Sequence, residues 1–271
     1  MDDLMQARGL RSGVVPASGR SWRAYTFTIV LAAYLLLIIS VLHPSITLTI
    51  DRTVRHLYLY SNWPQGYLGL HPYVMFGQRG PSTLVALPWF LWMAYRFRSP
   101  RPLLMLGTAL LVLNLSVGVV KISVGRLGPQ ATRSVYAVFK GGDIFPSGHT
   151  ANAVVLYGVI AMLAVQYGLR FRRTVIAAAV FLSVTVGLST LYLATHWLSD
   201  VVGGWLAGAL VLLVLPTLMP YAERLYAAGR DRLDAPLSRL ARRGGERRVP
   251  VPVLPEPATS ASAADGSLSR R

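Results

Sequence analysis

Residues 147–167, SGHTANAVVLYGVIAMLAVQY, predict a membrane-spanning helix. The segment contains no Asp, Glu, Lys or Arg, and crossing the hydrocarbon core of a bilayer takes roughly 20 apolar residues. The whole chain is 53% hydrophobic and only 14% charged, against about 25% charged residues in soluble domains. Further apolar segments lie near 24–43, 82–97, 102–120, 174–194 and 199–219. The sequence therefore predicts an all-α integral membrane protein with six transmembrane helices.

Basic residues are distributed unevenly between the predicted spans. Six spans place segments 1–23, 95–101, 168–173 and 220–271 on one side of the membrane, and these hold 20 of the 27 Lys and Arg residues. Because cytoplasmic flanks carry such an excess, we expect a multi-pass inner-membrane protein with cytoplasmic termini. The net charge of +16 then reflects the orientation of the spans and the attraction of the basic tail to anionic membrane lipids. It predicts no nucleic-acid partner.

Three parts of the chain follow from this topology. We expect a cytoplasmic N-terminal segment (1–23), a six-span membrane domain (24–219) and a basic cytoplasmic tail (220–271) that is largely disordered, because its end is rich in Pro, Ala and Ser. The small residues Gly203, Gly204, Ala207 and Gly208 in the sixth span predict close helix packing, which we expect to support the fold rather than a dimer. The oligomeric state is left open.

His196 and Asp200 form the first candidate catalytic pair. They are spaced i, i+4, which on a helix puts them within side-chain reach. A carboxylate bonded to one imidazole nitrogen fixes the tautomer and raises the basicity of the other nitrogen, as a nucleophile or general base requires. The structural alternative is a surface histidine before the sixth span, with Asp200 favoured by the helix dipole.

The start of the fourth span is a candidate phosphate-binding segment. Pro146 is well placed for a first helical turn, and the free N–H groups of a helix N-terminus bind phosphate. Gly148 admits an anion closely, Ser147 adds a hydroxyl donor, and His149 is placed to protonate a leaving oxygen. The structural alternative is a plain capping segment, with Ser147 or Thr150 as the cap.

Lys121, at the end of the third span, joins both histidines at the extracytoplasmic face of the membrane. Arg126, Arg133 and Lys140 follow in the next loop, against the usual charge bias of that side. An anionic ligand explains this basic cluster. A basic cluster, a helix N-terminus and an oriented histidine together predict a phosphoester site that faces outward.

The chemistry expected at this site needs no metal and no other cofactor. His196 forms a phosphohistidine intermediate and His149 acts as the general acid. A competing reading is a metal site made of His149, His196 and Asp200, which the adjacent cations disfavour because they repel a divalent ion. The chain has no cysteine, which excludes thiolate catalysis and cysteine-ligated metals.

These residues resemble the motifs of the phosphatidic acid phosphatase type 2 / vanadium haloperoxidase superfamily, over roughly residues 82–215. That family shows Lys, six residues, Arg-Pro; then Pro-Ser-Gly-His; then Ser-Arg, five residues, His, three residues, Asp. The matching positions are Lys121, Pro129, Pro146, Ser147, Gly148, His149, Ser189, His196 and Asp200. The resemblance implies a six-helix bundle in which His196 is the nucleophile, Asp200 orients it and His149 is the acid. It also implies that Lys121, Ser147 and the Gly148 amide hold the phosphate.

The chain departs from the motifs at both arginines, which are replaced by Gly128 and Thr190. A charge-assisted hydrogen bond contributes roughly 1.5–3 kcal/mol, so losing two weakens phosphate binding by orders of magnitude. Arg126 is the candidate to replace a lost ligand. The first hypothesis is a phosphatase that hydrolyses a lipid phosphomonoester or diphosphate. The first alternative is a lipid phosphotransferase resembling sphingomyelin and inositol-phosphoryl-ceramide synthases, which the Gly142-Asp143 pair favours. The second is a degenerate lipid-binding pseudo-phosphatase.

Overall fold

The computed structural model describes residues 17–57 and 59–245, with side chains described for 22–57 and 59–232. Within these ranges the chain is helical and has no β-strand, which confirms the all-α prediction. The described α-helices are α1 (Ala17–Leu42), α2 (Ile46–Arg55), α3 (Leu59–Asn62), α4 (Tyr67–Tyr73), α5 (Arg79–Arg96), α6 (Arg101–Val124), α7 (Gly148–Gln166), α8 (Arg172–Tyr192) and α9 (Leu198–Gly245). Short 3₁₀ segments at Pro64–Gly66 and Val74–Gly77 flank α4.

Five described helices are long and apolar enough to cross a membrane. They are Trp22–Leu42 in α1, then α6, α7, α8, and Leu198–Arg232 in α9. These match five of the six predicted spans. The predicted second span, 82–97, is helical within α5 but is not among the five. A sixth crossing therefore stays a prediction.

Helices extend into both terminal segments of the chain. The chain divides into two compact units, the first ending at Leu225 and the second beginning at Tyr226. Residues 220–245 of the predicted tail are helical, and the disorder expected of its Pro-, Ala- and Ser-rich end stays a prediction. Alanine, leucine and arginine are frequent over 220–245, and all three favour helix. The predicted segment 1–23 is helical from Ala17, and residues 1–16 and 246–271 lie outside the described part.

The main apolar core lies between the long helices. It contains Tyr34 of α1, Phe90 of α5, Leu113 of α6, Leu156 of α7 and Leu215 of α9, all of them buried. Large apolar side chains also point outward and are exposed, as a lipid-facing surface requires. Examples are Ile29, Leu84, Ile122 and Phe181.

Glycines of α9 allow it to approach α7 closely. A β-carbon on Gly204 would lie 2.7 Å from the carbonyl oxygen of Ser147, and one on Gly208 would lie 2.6 Å from the β-carbon of Val154. Both distances are too short for non-bonded atoms, so a side chain at either position requires the helices to separate. The small residues of the sixth predicted span therefore pack within the chain, as predicted.

The short helix α2 carries a buried carboxylate toward the later helices. Leu48 and Asp51 are three residues apart on one face of α2, and both are buried. Leu48 packs with Val135 and Trp197, which come from the loop after α6 and the turn before α9. This contact holds Asp51 against the start of α9.

Candidate active site

His196 and Asp200 meet at the start of α9. His196 lies in the turn between α8 and α9, and Asp200 lies in the first turn of α9. The His196 Nδ1 and Asp200 Oδ2 atoms are 3.6 Å apart. Asp200 Oδ2 also accepts a hydrogen bond from the Trp197 backbone N–H at 2.9 Å, as in the capping box of a helix N-terminus. Asp200 is therefore both the partner of His196 and a helix cap.

The first turn of α7 lies directly beside that of α9. Ser147 is the N-cap of α7, and its hydroxyl oxygen accepts hydrogen bonds from Thr150 N and Thr150 Oγ1 at 3.4 and 3.0 Å. The Ser147 backbone N–H donates to the Asp200 carbonyl oxygen at 2.9 Å. This bond and the close approach at Gly204 join the two motif segments. The Ser147 side chain is fully buried and serves as a cap, and a phosphate contact from it stays a prediction.

The two histidines converge although 47 positions separate them in sequence. The ring centroids of His149 and His196 are 6.2 Å apart, with the ring planes inclined at 66°. His196 is 7% exposed, and His149 is partly buried in the first turn of α7. A reacting phosphorus atom between the two rings would be within reach of both, which is the arrangement that a nucleophile and a general acid require.

Lys121, at the end of α6, extends its side chain to the first turn of α7. Its ammonium donates a hydrogen bond to the Asp143 carbonyl oxygen. Measured from the position a β-carbon would take on Gly148, Lys121 Nζ is 3.9 Å away. The structure therefore brings His149, His196, Asp200, Gly148 and Lys121 together, and their roles stay predictions.

Arg126 occupies a different place from the one predicted. Its guanidinium is fully buried and donates to Asp200 Oδ1 from Nη1 and to Asp51 Oδ2 from Nη2, both at 2.7 Å. Nη1 also donates to Ser199 Oγ at 2.7 Å, and Nη2 to the Val135 carbonyl oxygen at 3.4 Å. A cation removed from water is stable only when it is paired, and here two carboxylates pair it. Arg126 therefore supports Asp200 from behind instead of facing a phosphate.

Asp51 is the partner that sequence reasoning missed. It accepts hydrogen bonds from the Ser199 backbone N–H at 2.8 Å and from Ser199 Oγ at 2.6 Å, besides Arg126. The sequence does carry a signal: between residues 4 and 222 the only acidic residues are Asp51, Asp143 and Asp200. A carboxylate that rare in an apolar chain is expected to be functional or paired.

Known proteins resemble this chain in sequence and in fold. The sequence profile described as the PAP2 superfamily matches residues 102–224. Over these residues the chain resembles the PAP2 superfamily. Phosphatidylglycerophosphatase B of Bacillus subtilis (strain 168) is 36% identical over 74 residues, which is 26% of this chain and 36% of that protein. The chain therefore matches little more than a third of that relative's length.

A solved PAP2 structure shares the fold. It is the crystal structure of the first transmembrane PAP2 type phosphatidylglycerolphosphate phosphatase from Bacillus subtilis, with a TM-score of 0.58 and 22% sequence identity. The match covers 72% of this chain and 96% of that one. With its apolar helices, this chain is thus a multi-pass membrane protein, and its described part is all-helical.

The two positions where the chain lacks an arginine of the family motifs are packed. A β-carbon on Gly128 would lie 3.0 Å from Ile144 Cγ1 and 3.2 Å from the Thr195 carbonyl oxygen. Thr190 is fully buried, and its hydroxyl donates to the Gly187 carbonyl oxygen at 2.7 Å. Neither position has open space for a long cationic side chain.

The other candidate cations of the loop after α6 are displayed outward. Arg133 and Lys140 are exposed. Among the described residues, no group of three or more His, Cys, Asp and Glu side chains is placed to hold a metal ion.

Arg79 is the second residue at the site that sequence reasoning missed. It is the first residue of α5, and its Nη2 atom is 3.7 Å from the β-carbon position of Gly148. Burial lowers the pKa of Arg79, but a guanidinium stays protonated at neutral pH. The one signal in the sequence is that Arg79 is among the seven basic residues on the predicted extracytoplasmic side.

Proposed function

We propose that this protein is a membrane phosphatase of the PAP2 kind that hydrolyses a lipid phosphomonoester or diphosphate through phospho-His196. The observation that carries the proposal is the convergence of His196, backed by Asp200, with His149 at the first turn of α7. Because His196 Nδ1 faces Asp200, Nε2 is the nitrogen left to attack phosphorus. The matching part of phosphatidylglycerophosphatase B supports a lipid phosphate as substrate.

The reaction has two steps, and each has a proton donor or acceptor in place. In the first, His196 Nε2 forms a bond to phosphorus, the bond from phosphorus to the lipid oxygen breaks, and His149 protonates the leaving alkoxide. In the second, water attacks phosphorus, His149 takes the proton from that water, and the P–N bond breaks to release phosphate and His196. Acid and base roles alternate on one histidine, as microscopic reversibility requires.

The buried ion pairs favour the first step electrostatically. Phosphorylation of Nε2 leaves the His196 ring positively charged while Nδ1 keeps its proton. Asp51, Arg126 and Asp200 together carry a net charge of −1 directly beside it. A fixed negative charge in a site shielded from water stabilises that developing positive charge. The long contact between Nδ1 and Oδ2 is expected to shorten as the ring becomes charged.

The test is phosphate release by purified protein in detergent micelles. Phosphatidic acid, a prenyl diphosphate and a phosphodiester lipid are supplied in turn, with and without a lipid alcohol acceptor. His196→Ala is expected to abolish turnover, whereas the matched control His43→Ala, an exposed histidine, keeps it. Trapped protein labelled by a radioactive phosphoryl group should carry it on His196 as an acid-labile phosphoramidate. A His196→Ala protein that releases phosphate at the wild-type rate sinks the assigned nucleophile.

Transfer to a lipid alcohol is the second candidate reaction. The Gly142-Asp143 stretch, which favours it in the sequence, is held at the site by the hydrogen bond from Lys121 to Asp143. If turnover rises only when the acceptor is present, transfer replaces hydrolysis. If neither reaction occurs on any of the three lipids, the pseudo-phosphatase alternative is favoured.

We also propose that the site faces the extracytoplasmic side of the inner membrane, because most basic residues flank the opposite ends of the spans. The absence of native cysteine makes this easy to test. Ser134→Cys, in the loop after α6, should react with an impermeant maleimide in intact cells. Arg170→Cys, between α7 and α8, should react only after lysis. The reverse pattern contradicts the orientation.

A further inference from the structure

Two cationic groups from different helices point at the N-terminal turn of α7. Arg79 Nη2 and Lys121 Nζ lie 3.7 and 3.9 Å from the same point, the β-carbon position of Gly148, so they are within about 8 Å of each other. The charges of both also act on His149. Two charge-assisted hydrogen bonds of about 2.8 Å to different oxygens of one phosphate span that separation.

No residue in the described part of the chain neutralises Arg79. Its guanidinium makes no hydrogen bond or ion pair with a described residue, whereas Arg126 is paired on both of its terminal nitrogens. Arg79 also faces Lys121, a like charge, in a partly buried setting. Like charges held together repel each other, so the arrangement is stable mainly when an anion lies between them.

The segment that carries Arg79 is anchored on the helices of the site. Asn152 of α7 donates to the Gly77 carbonyl oxygen at 3.1 Å and to Ser82 Oγ at 3.0 Å, on either side of Arg79. Gly77 lies so close to α7 that a β-carbon there would be 2.7 Å from the His149 carbonyl oxygen. Tyr157 of α7 donates to the Phe76 carbonyl oxygen at 2.9 Å. The first turn of α5 and the 3₁₀ segment before it are thus held beside His149 by three hydrogen bonds to α7 and one close backbone contact.

We propose that Arg79 binds the phosphate of the substrate and, with Lys121, replaces the cationic ligands that Gly128 and Thr190 lack. This inference rests on the proposed phosphatase function. Gly128 and Thr190 are packed and Arg126 is paired with carboxylates, so Arg79 supplies the charge from another helix. With Lys121 it presents two positive charges, which match the dianion of a phosphomonoester better than the single charge of a phosphodiester.

The first experiment compares kcat and KM of wild type, Arg79→Ala and Arg79→Lys on phosphatidic acid and on a phosphodiester lipid. We expect Arg79→Ala to lower kcat/KM for the phosphomonoester about 10- to 150-fold, the worth of one charge-assisted hydrogen bond. Arg79→Lys should recover part of that loss, and the phosphodiester should be affected less. Arg96→Ala, at the exposed far end of α5, is the matched control and should behave as wild type.

The second experiment measures binding without turnover. Inorganic phosphate should raise the thermal unfolding midpoint of wild type above that in chloride of equal ionic strength, because ligands stabilise the state they bind. Arg79→Ala should lose this increase and Arg96→Ala should keep it. If Arg79→Ala does not fold, Arg79→Gln, which keeps the length and polarity of the side chain, takes its place in both experiments.

The outcomes separate the two proposals. If Arg79→Ala hydrolyses lipid phosphate as well as the wild type does, this inference is overturned and the phosphatase proposal stands. Equal losses on monoester and diester, with no rescue by lysine, indicate a structural role and also overturn it. If the wild type is inactive on every lipid, the proposed phosphatase function is wrong. The effect of phosphate on the unfolding midpoint then tests by itself whether Arg79 binds phosphate. A wild type that shows neither turnover nor a phosphate effect overturns both.

Discussion

Replacing Arg126 by methionine tests whether this arginine supports the site or binds phosphate. The side chain is fully buried and forms ion pairs at 2.7 Å with Asp51 and Asp200. Methionine has a similar length but no charge, so the variant leaves two buried carboxylates without their counter-ion. We expect the folded state itself to lose stability, rather than substrate affinity alone.

The magnitude follows from the two ion pairs. Removing one partner of a buried ion pair costs about 3–5 kcal/mol, which is about 150- to 5,000-fold in the unfolding equilibrium constant. At about 2–4 °C per kcal/mol for a chain of this size, the midpoint of thermal unfolding should fall by about 6–20 °C. Such a loss is a large part of the 5–15 kcal/mol that stabilises a typical protein.

The assay is thermal unfolding of the purified protein in detergent, followed by tryptophan fluorescence, with phosphate release measured in parallel. Arg133→Met, an exposed arginine of the same loop, is the control and should unfold at the wild-type temperature. Adding Asp51→Asn to Arg126→Met should restore part of the lost stability, because one of the two uncompensated carboxylates is removed.

One result would refute this account of Arg126. An Arg126→Met protein that unfolds at the wild-type temperature and shows only a raised KM has lost a substrate ligand. The original prediction of a phosphate-binding Arg126 would then be correct. A double variant whose losses simply add would show that Arg126 and Asp51 are not coupled.

Three further predictions concern packing around the site. Gly128→Arg with Thr190→Arg should lower the unfolding midpoint by roughly 5 °C or more and increase no activity, because both positions are packed; a stable variant with higher activity contradicts this. Gly204→Ala should destabilise the folded protein by about 1–3 kcal/mol in the same assay. The control Gly118→Ala, which has open surroundings, should be neutral or stabilising by up to about 1 kcal/mol. Equal shifts in the two variants would refute the close contact between α7 and α9. Asn152→Leu should raise KM for a phosphomonoester several-fold by removing two hydrogen bonds of about 1 kcal/mol each that hold the start of α5, and an unchanged KM argues against that role.

Much of the fold and of the candidate site could be predicted from the amino-acid sequence. Long apolar segments specify membrane helices, since the bilayer admits few other backbone structures. Ionisable residues at the ends of such helices are costly unless they act, and this singled out Lys121, His149, His196 and Asp200. Their positions at helix ends depend on local sequence, so a sequence pattern was sufficient to find them.

The roles of the arginines could not be predicted in this way. Arg126 follows Lys121 closely, and this position predicts a phosphate ligand, whereas Arg79 lies 42 positions before Lys121 and belongs to no motif. In the structure, α2 brings Asp51 into an ion pair with Arg126, and contacts from α7 hold Arg79 beside Gly148. Which arginine is paired by carboxylates and which is left for an anion depends on distances between segments remote in sequence. Desolvation and pairing act through those distances, and only the tertiary structure sets them.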